Sequence, residues 1–409
     1  MKSSIKKLPG SKIELEVSLD QKEFQVYWDQ AYQQALSGVQ LKGFRPGTAP
    51  KEMADRAVDK DKVFNDAANQ AVRQSLDELS EENNWTFIDQ PQIEVTSSAD
   101  LSLKYKATLA VFPEVELVDY KKIAKKIFSD KKETVVDDKE IADSLEWLRG
   151  SRAKVVSVDR EAHKGDVVDV DLESEVDSFK GEKFILGQAK FLPGFEEQIE
   201  NHKAGENLEF SLKAPDDYWN TKLRGKEINF KVKLNQVFER ELPELNDELA
   251  QALGPNFKTV DDIKKNIADG LKQEKETKEK DRLRAKTLDE VIKASKIELP
   301  DIMIARTLDK MVQDYKQNPA LAKVVSGKSD DELKAQLKER ARNNVLGNLV
   351  IYKIAELENL LPTKEEVENE LKLLSSQSGR KIDGQQYYDY SYGVIQNRKV
   401  FEFLESQVN

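Results

Sequence analysis

The chain has 409 residues, of which 34% are charged and 38% hydrophobic, with a formal net charge of −11, no cysteine and two histidines, His163 and His202. These values exclude disulfides, thiolate catalysis and Cys-based metal sites. They leave little basis for a multi-His metal centre or a Ser-His-Asp triad, and argue against nucleic-acid binding by the surface as a whole. No apolar run reaches the ~18 residues of a membrane span, and the amino terminus lacks a signal-peptide core, so the expected compartment is the cytoplasm with no membrane partner. The length predicts about two to four domains, and the balance of charge over apolar residues suits an extended molecule with much exposed helix.

In chain order, Ile13 to Leu19 alternates with period two and predicts a half-buried strand. Asp20 and Glu23 form a capping box, followed by a helical stripe of Phe24, Tyr27, Trp28, Ala31, Tyr32, Ala35, Leu36 and Val39 that reads as core. The segment Gly43-Phe44-Arg45-Pro46-Gly47-Thr48-Ala49-Pro50 ends this helix, because two glycines and two prolines within eight residues cannot continue it. An aromatic beside an arginine, flanked by Lys42 and Lys51, fits a docking tip, but by itself the segment reads more simply as an ordinary surface turn with one Phe beneath it. Val63 to Leu79 predicts a second helix, and Trp85–Ile88 and Leu101–Ala107 predict strands, giving a first α+β domain.

Phe112 to Leu117 predicts an extended exit, and residues 123–128 a strand. Asp137 with Glu140 caps a helix through Ile141, Leu145 and Leu148. Between 150 and 240, short alternating runs with Gly and Pro turns predict a small antiparallel sheet around one short helix. Beyond Pro243 the pattern is helical. It comprises a long helix with a charged run over 272–282, a helix starting at Pro300, an apolar helix from the Ser329/Glu332 box to Leu357, and a tyrosine-rich end after the Thr363/Glu366 box.

Four motifs in this order resemble the trigger factor family of bacterial ribosome-associated chaperones. The loop matches G-F-R-x-G-x-x-P through Gly43, Phe44, Arg45, Gly47 and Pro50. Phe112 to Leu117 stands as F-P-E-V-E-L. Leu186, Gly187, Pro193, Gly194 and Phe195 match an FKBP-type segment, with His202 to Glu206 as H-K-A-G-E. Glu239 to Leu245 matches E-R-E-L-P-E-L. The resemblance implies an α+β multidomain chain. Residues 1–117 form a ribosome-binding domain, 118–149 a linker joining the central helical body, 150–242 an FKBP-like antiparallel sheet domain, and 243–409 an all-α chaperone domain with arms. It further implies docking to the ribosome, on a protein beside the exit tunnel and nearby rRNA, through Gly43, Phe44, Arg45, Pro46, Gly47 and Pro50. Nascent unfolded polypeptides are the implied clients, and a homodimer off the ribosome stays open. Pro46 and Thr48 stand where the family often has Lys, which thins the positive charge.

The resemblance also implies prolyl isomerisation. Rotation about an X–Pro bond meets a barrier of about 20 kcal/mol because it breaks amide resonance. A water-excluding apolar pocket favours the less polar, twisted amide, so neither nucleophile nor cofactor is needed. By motif, Phe195 is the pocket floor, Phe191 and Leu192 the flanking apolar pair, Tyr218 the hydroxyl that contacts substrate, Phe230 the last-strand aromatic and Phe179 the aromatic of an F-x-G segment. Leu172 replaces a strand aromatic, Glu173-Ser174 replaces T-G, and the stretch from Val176-Asp177 to Phe184 is short, so reduced activity is expected. Nothing resembles a P-loop, so no ATP requirement is expected. The alternatives are a chain that is mainly an FKBP-type isomerase with helical substrate-delivery segments, and a helical scaffold.

Overall fold

A computed structural model describes residues 1–39, 50–97, 101–175, 178–188, 190–218, 223–318, 321, 328–378, 382 and 384–408. The chain divides into two compact units, 1–131 with 280–409, and 132–279. The docking segment's Gly43, Phe44, Arg45, Pro46 and Gly47 lie outside the described residues, and only Pro50 is within them.

The first unit begins with β1 (Lys2–Leu8) and β2 (Lys12–Leu19), followed by α1 (Gln21–Gly38), α2 (Lys51–Ala57) and α3 (Lys60–Asn83). Then come β3 (Gln92–Ser97), β4 (Leu103–Ala110), the two-residue β5 (Val115–Glu116) and α4 (Tyr120–Phe128). The sheet order is β1-β2-β4-β3, antiparallel throughout. Alternation in β2 and β4 buries Ile13, Leu15, Val17, Leu19, Leu103, Tyr105, Ala107 and Leu109 on one face, against α1 and α3. The opposite face is a lattice of charges, with Lys6 paired to Glu14 and Lys106 to Glu16. The Asp20–Glu23 capping box forms as expected.

Two expectations fail locally. Residues 123–128 belong to helix α4, because Tyr120, Ala124, Ile127 and Phe128 lie at i, i+4, i+7 and i+8 and bury one stripe, with Asp119 capping the start. Trp85–Ile88 contributes one isolated bridge, Phe87 to Val111, and no strand. The edge strands β1 and β3, largely exposed, carried too little alternation of burial to be read.

The second unit contains α5 (Asp138–Ser151), then β6 (Lys154–Val158), β7 (Val167–Ser174), β8 (Ser178–Ile185), β9 (Asn207–Lys213) and β10 (Glu227–Glu241), followed by α6 (Asp247–Leu253). The strands form one antiparallel sheet in which β10 pairs with β6, β7 and β9, and β7 with β8. A short 3-10 turn, Glu196–Gln198, lies in the β8–β9 connection. The Asp137–Glu140 box forms, and Lys275 adds an ion pair to Glu140.

Helix α7 (Val260–Ala294) runs through the boundary between the units. The first unit resumes with β11 (Lys296–Ile297), α8 (Asp301–Gln317), α9 (Asp330–Leu357), α10 (Lys364–Ser378) and α11 (Gln385–Ser406). β11 pairs with β5 across 180 positions of chain. Tyr120, Ile127, Leu283, Val350, Ile354, Val400 and Leu404 form one core of this body. The Tyr120 hydroxyl donates to Glu358 at 2.6 Å, and Arg284 binds Glu405 at 2.6 Å. The Ser329/Glu332 and Thr363/Glu366 boxes form.

Candidate functional site

The inner face of the second unit's sheet carries Val168, Val170, Leu172, Phe184, Ile228, Phe230, Val232 and Leu234, all buried. Alternation along β7 and β10 places them there, and two register shifts shape the face. One lies in β10 between Leu234 and Gln236, the other in the β7–β8 pair between Val170 and Leu172. A single carboxylate serves both. Asp171 Oδ1 accepts from Asn235 Nδ2 at 2.9 Å and from the Gly181 N–H at 2.8 Å. These two hydrogen bonds hold the Asp171 carboxyl below its ordinary range.

The β8–β9 connection lays a second apolar layer over this face. Phe195 is fully buried, with its ring centroid 4.5 Å from Phe191, 5.2 Å from Phe230, 5.4 Å from Phe210 and 6.4 Å from Phe184. Phe230 and Phe210 stand edge-on to Phe195, whereas Phe191 lies across it at 33°. Such ring pairs add about 0.5–1.5 kcal/mol each beyond area burial. Leu192 is buried in the same cluster, and Tyr218 packs at its margin. Of the six expected pocket residues, Phe195, Phe191, Leu192, Phe230 and Tyr218 therefore share one cluster. Phe179 stands apart from the rings: it sits on β8 opposite Leu172 and is 43% exposed.

Two buried carboxylates of this domain were not singled out from the sequence, and the first holds this layer. Glu196 is buried and accepts from the Gly187 and Lys190 N–H groups, the latter at 2.7 Å. Asp166 is also buried. Burial pushes its carboxyl up, but the Arg160 guanidinium, bound at 2.6 and 3.0 Å, and the His163 N–H hold it below the ordinary range. Acidic residues beside Gly-rich turns were the only available signal, and it is too common to act on. The H-K-A-G-E motif is structural. His202 O accepts from Ala162 N–H, Lys203 N–H donates to Glu206, and Gly205 N–H donates to Leu234 O, tying the turn to β10. The His202 imidazole sits 2.6 Å from Glu206 and lowers that carboxyl.

In the first unit, Pro50 is exposed and precedes α2, its carbonyl accepting from Met53 and Ala54. Tyr32 on α1 donates to Asp55 on α2 at 2.9 Å, so the helices on either side of segment 40–49 are joined directly. A separate cleft of about 800 Å³ in this unit is lined by Trp85, Phe112, Tyr352 and alternating lysines and glutamates. Among the described residues no group of three or more His, Cys, Asp or Glu could hold a metal, and no helix is long and apolar enough to cross a membrane.

Comparison with known proteins accounts for the whole chain. Residues 1–148 match the profile of the bacterial trigger factor protein, 158–235 that of FKBP-type peptidyl-prolyl cis-trans isomerase, and 259–404 that of the trigger factor C-terminus. The trigger factor of Caldicellulosiruptor saccharolyticus is 30% identical over 94% of this chain and 90% of its own length. That of Caldanaerobacter subterraneus subsp. tengcongensis is 33% identical over 92% and 89%. A solved structure of the trigger factor chaperone, reported for promiscuous substrate recognition in folding and assembly, covers both chains fully with a TM-score of 0.53 at 21% identity, a likeness of fold. The chain belongs to the bacterial trigger factor family of chaperones and carries that family's FKBP-type domain.

Proposed function

We propose that this protein is a cytoplasmic, nucleotide-independent chaperone that docks beside the ribosomal exit tunnel, holds nascent polypeptides open and accelerates X–Pro isomerisation in its sheet domain. The observation that carries this reading is that profiles of both ends of trigger factor flank an FKBP-type profile in one chain. Docking is assigned to Gly43, Phe44, Arg45, Pro46, Gly47 and Pro50. Phe44 fills an apolar pocket, Arg45 pairs with a carboxylate of the ribosomal protein or an rRNA phosphate, and the prolines limit the entropy lost on ordering. We assign residues 1–117 to docking, 118–149 to the linker, 150–242 to isomerisation and 243–409 to client holding. Off the ribosome, a homodimer would register as concentration-dependent sedimentation.

For isomerisation, the apolar layer around Phe195, Phe230 and Leu192, with Phe191 flanking it, excludes water from the amide as it twists, and the Tyr218 hydroxyl orients the substrate carbonyl. Phe179 contributes an outer wall. The replacements at Leu172, Glu173 and Ser174 lower the rate relative to a fully aromatic pocket. Co-sedimentation with ribosomes tests the docking assignment. Replacing Phe44, Arg45 and Gly47 together with Ala should abolish it, and unchanged co-sedimentation would overturn it.

A further inference from the structure

A prolyl ring can be held against an aromatic floor only if a face of that floor is accessible. Phe195 has none: its relative exposure is 0%, and Phe191 lies across one face at 4.5 Å. Phe191 itself is only half-buried and also meets Phe184 edge-on at 4.8 Å. It belongs to the connection that starts at Gly187 (φ +91°) and ends at Gly194 (φ +88°), two positions where other residues would be strained.

Two interactions hold that segment down. The first is the buried Glu196 carboxylate, which accepts from both Gly187 and Lys190 N–H groups. The second is an ion pair between the Lys190 ammonium and Glu182 of β8, with that ammonium also 5.8 Å from the Phe191 ring. Glu182 is out of character for its position. It pairs in register with the fully buried Val170, so it projects from the sheet's inner, apolar face, beside Phe184 two residues on. Its side chain is 37% exposed and that of Lys190 46%, so the pair sits at the rim.

We propose that Phe191 is a plug that occupies the place of the prolyl ring on Phe195, and that the Glu182–Lys190 pair latches it. This rests on the isomerase reading of the sheet domain. Peptide binds only to the fraction of molecules in which Phe191 has left Phe195, so apparent affinity is reduced by that fraction. Glu182, Lys190 and Phe191 then determine how readily a proline segment is admitted, while Phe195 and Phe230 form the wall it reaches.

The test uses the full chain and a short Leu-Pro peptide, with cis–trans exchange and peptide binding both followed by NMR. Phe191→Ala should lower KM and peptide Kd by about fivefold or more. Glu182→Gln, which leaves every ring in place, should lower both by about two- to threefold, and added salt should reduce its difference from wild type. A folded Phe191→Ala protein whose KM and Kd are unchanged or higher overturns the plug, and Glu182→Gln equal to wild type at low salt overturns the latch. If no form of the protein accelerates exchange, the isomerase reading fails and the titration decides alone. Tighter peptide binding by Phe191→Ala then supports the plug, and equal or weaker binding overturns it.

Discussion

The chain has two aromatic-rich regions, and they use aromatic residues differently. On α1, Phe24, Tyr27, Trp28 and Tyr32 form a helical stripe, spread along one axis. Phe24 is buried against Phe64 at 5.4 Å, Trp28 and Tyr32 stack at 6.4 Å, and the Tyr32 hydroxyl reaches outward to Asp55. In the sheet domain, four phenylalanines from β8, β9, β10 and the β8–β9 connection converge on one ring, Phe195. A stripe makes an interface between helices. A convergent cluster brings rings from separate strands onto one point. The contrast shows that aromatic content alone does not separate a stripe from a cluster; convergence from distant strands does.

The largest test of this contrast is deletion at each centre. Phe195→Ala and Phe24→Ala should each destabilise their own domain by about 3–5 kcal/mol. Hydrogen exchange resolved by domain should show each effect confined to its own unit, with isomerisation lost only in Phe195→Ala. Loss of protection in both units from either substitution would refute the separation.

A smaller effect is expected at the buried carboxylate of Asp166. Asp166→Asn should cost the sheet domain about 1–3 kcal/mol at neutral pH, since Arg160 and the His163 N–H lose a charged acceptor. Because the Asp166 carboxyl is depressed in the folded state, its contribution is complete above the unfolded value of about 3.9 and is lost as pH falls through the lower folded value. Urea midpoints of wild type and Asp166→Asn should therefore converge below about pH 4, and a constant gap down to pH 2 would exclude this origin.

The smallest effect is expected in the first domain. The Tyr105 hydroxyl meets Ser75 Oγ at 2.6 Å inside its core, and Ser75 also donates to the Ala71 carbonyl at 2.7 Å. Ser75 keeps that partner when the phenol is removed, so Tyr105→Phe should cost only about 1 kcal/mol. A loss several times larger would mean that this polar pair holds the sheet to α3.

Much of the architecture was legible because its causes are local. Capping boxes at Asp20, Asp137, Ser329 and Thr363 require only a side chain and the backbone three residues on. Alternation along β2, β4, β7 and β10 records which side of each strand meets the core. Five of the six residues expected by motif share one apolar cluster, but the position of Phe179 was not legible, because the register shift between Val170 and Leu172 decides where it points.

The sequence by itself thus determined the helices with their caps, the main strands, the absence of thiol chemistry and the family. Only the tertiary structure decided that 120–128 is a helix packed on the body, that β5 pairs with β11, that Asp171 fastens two bulges, and that Glu182 faces the apolar side. It also placed Phe191 across Phe195. Each of these depends on register or ring contact between segments far apart in the chain, and no period of two or 3.6 residues carries that information.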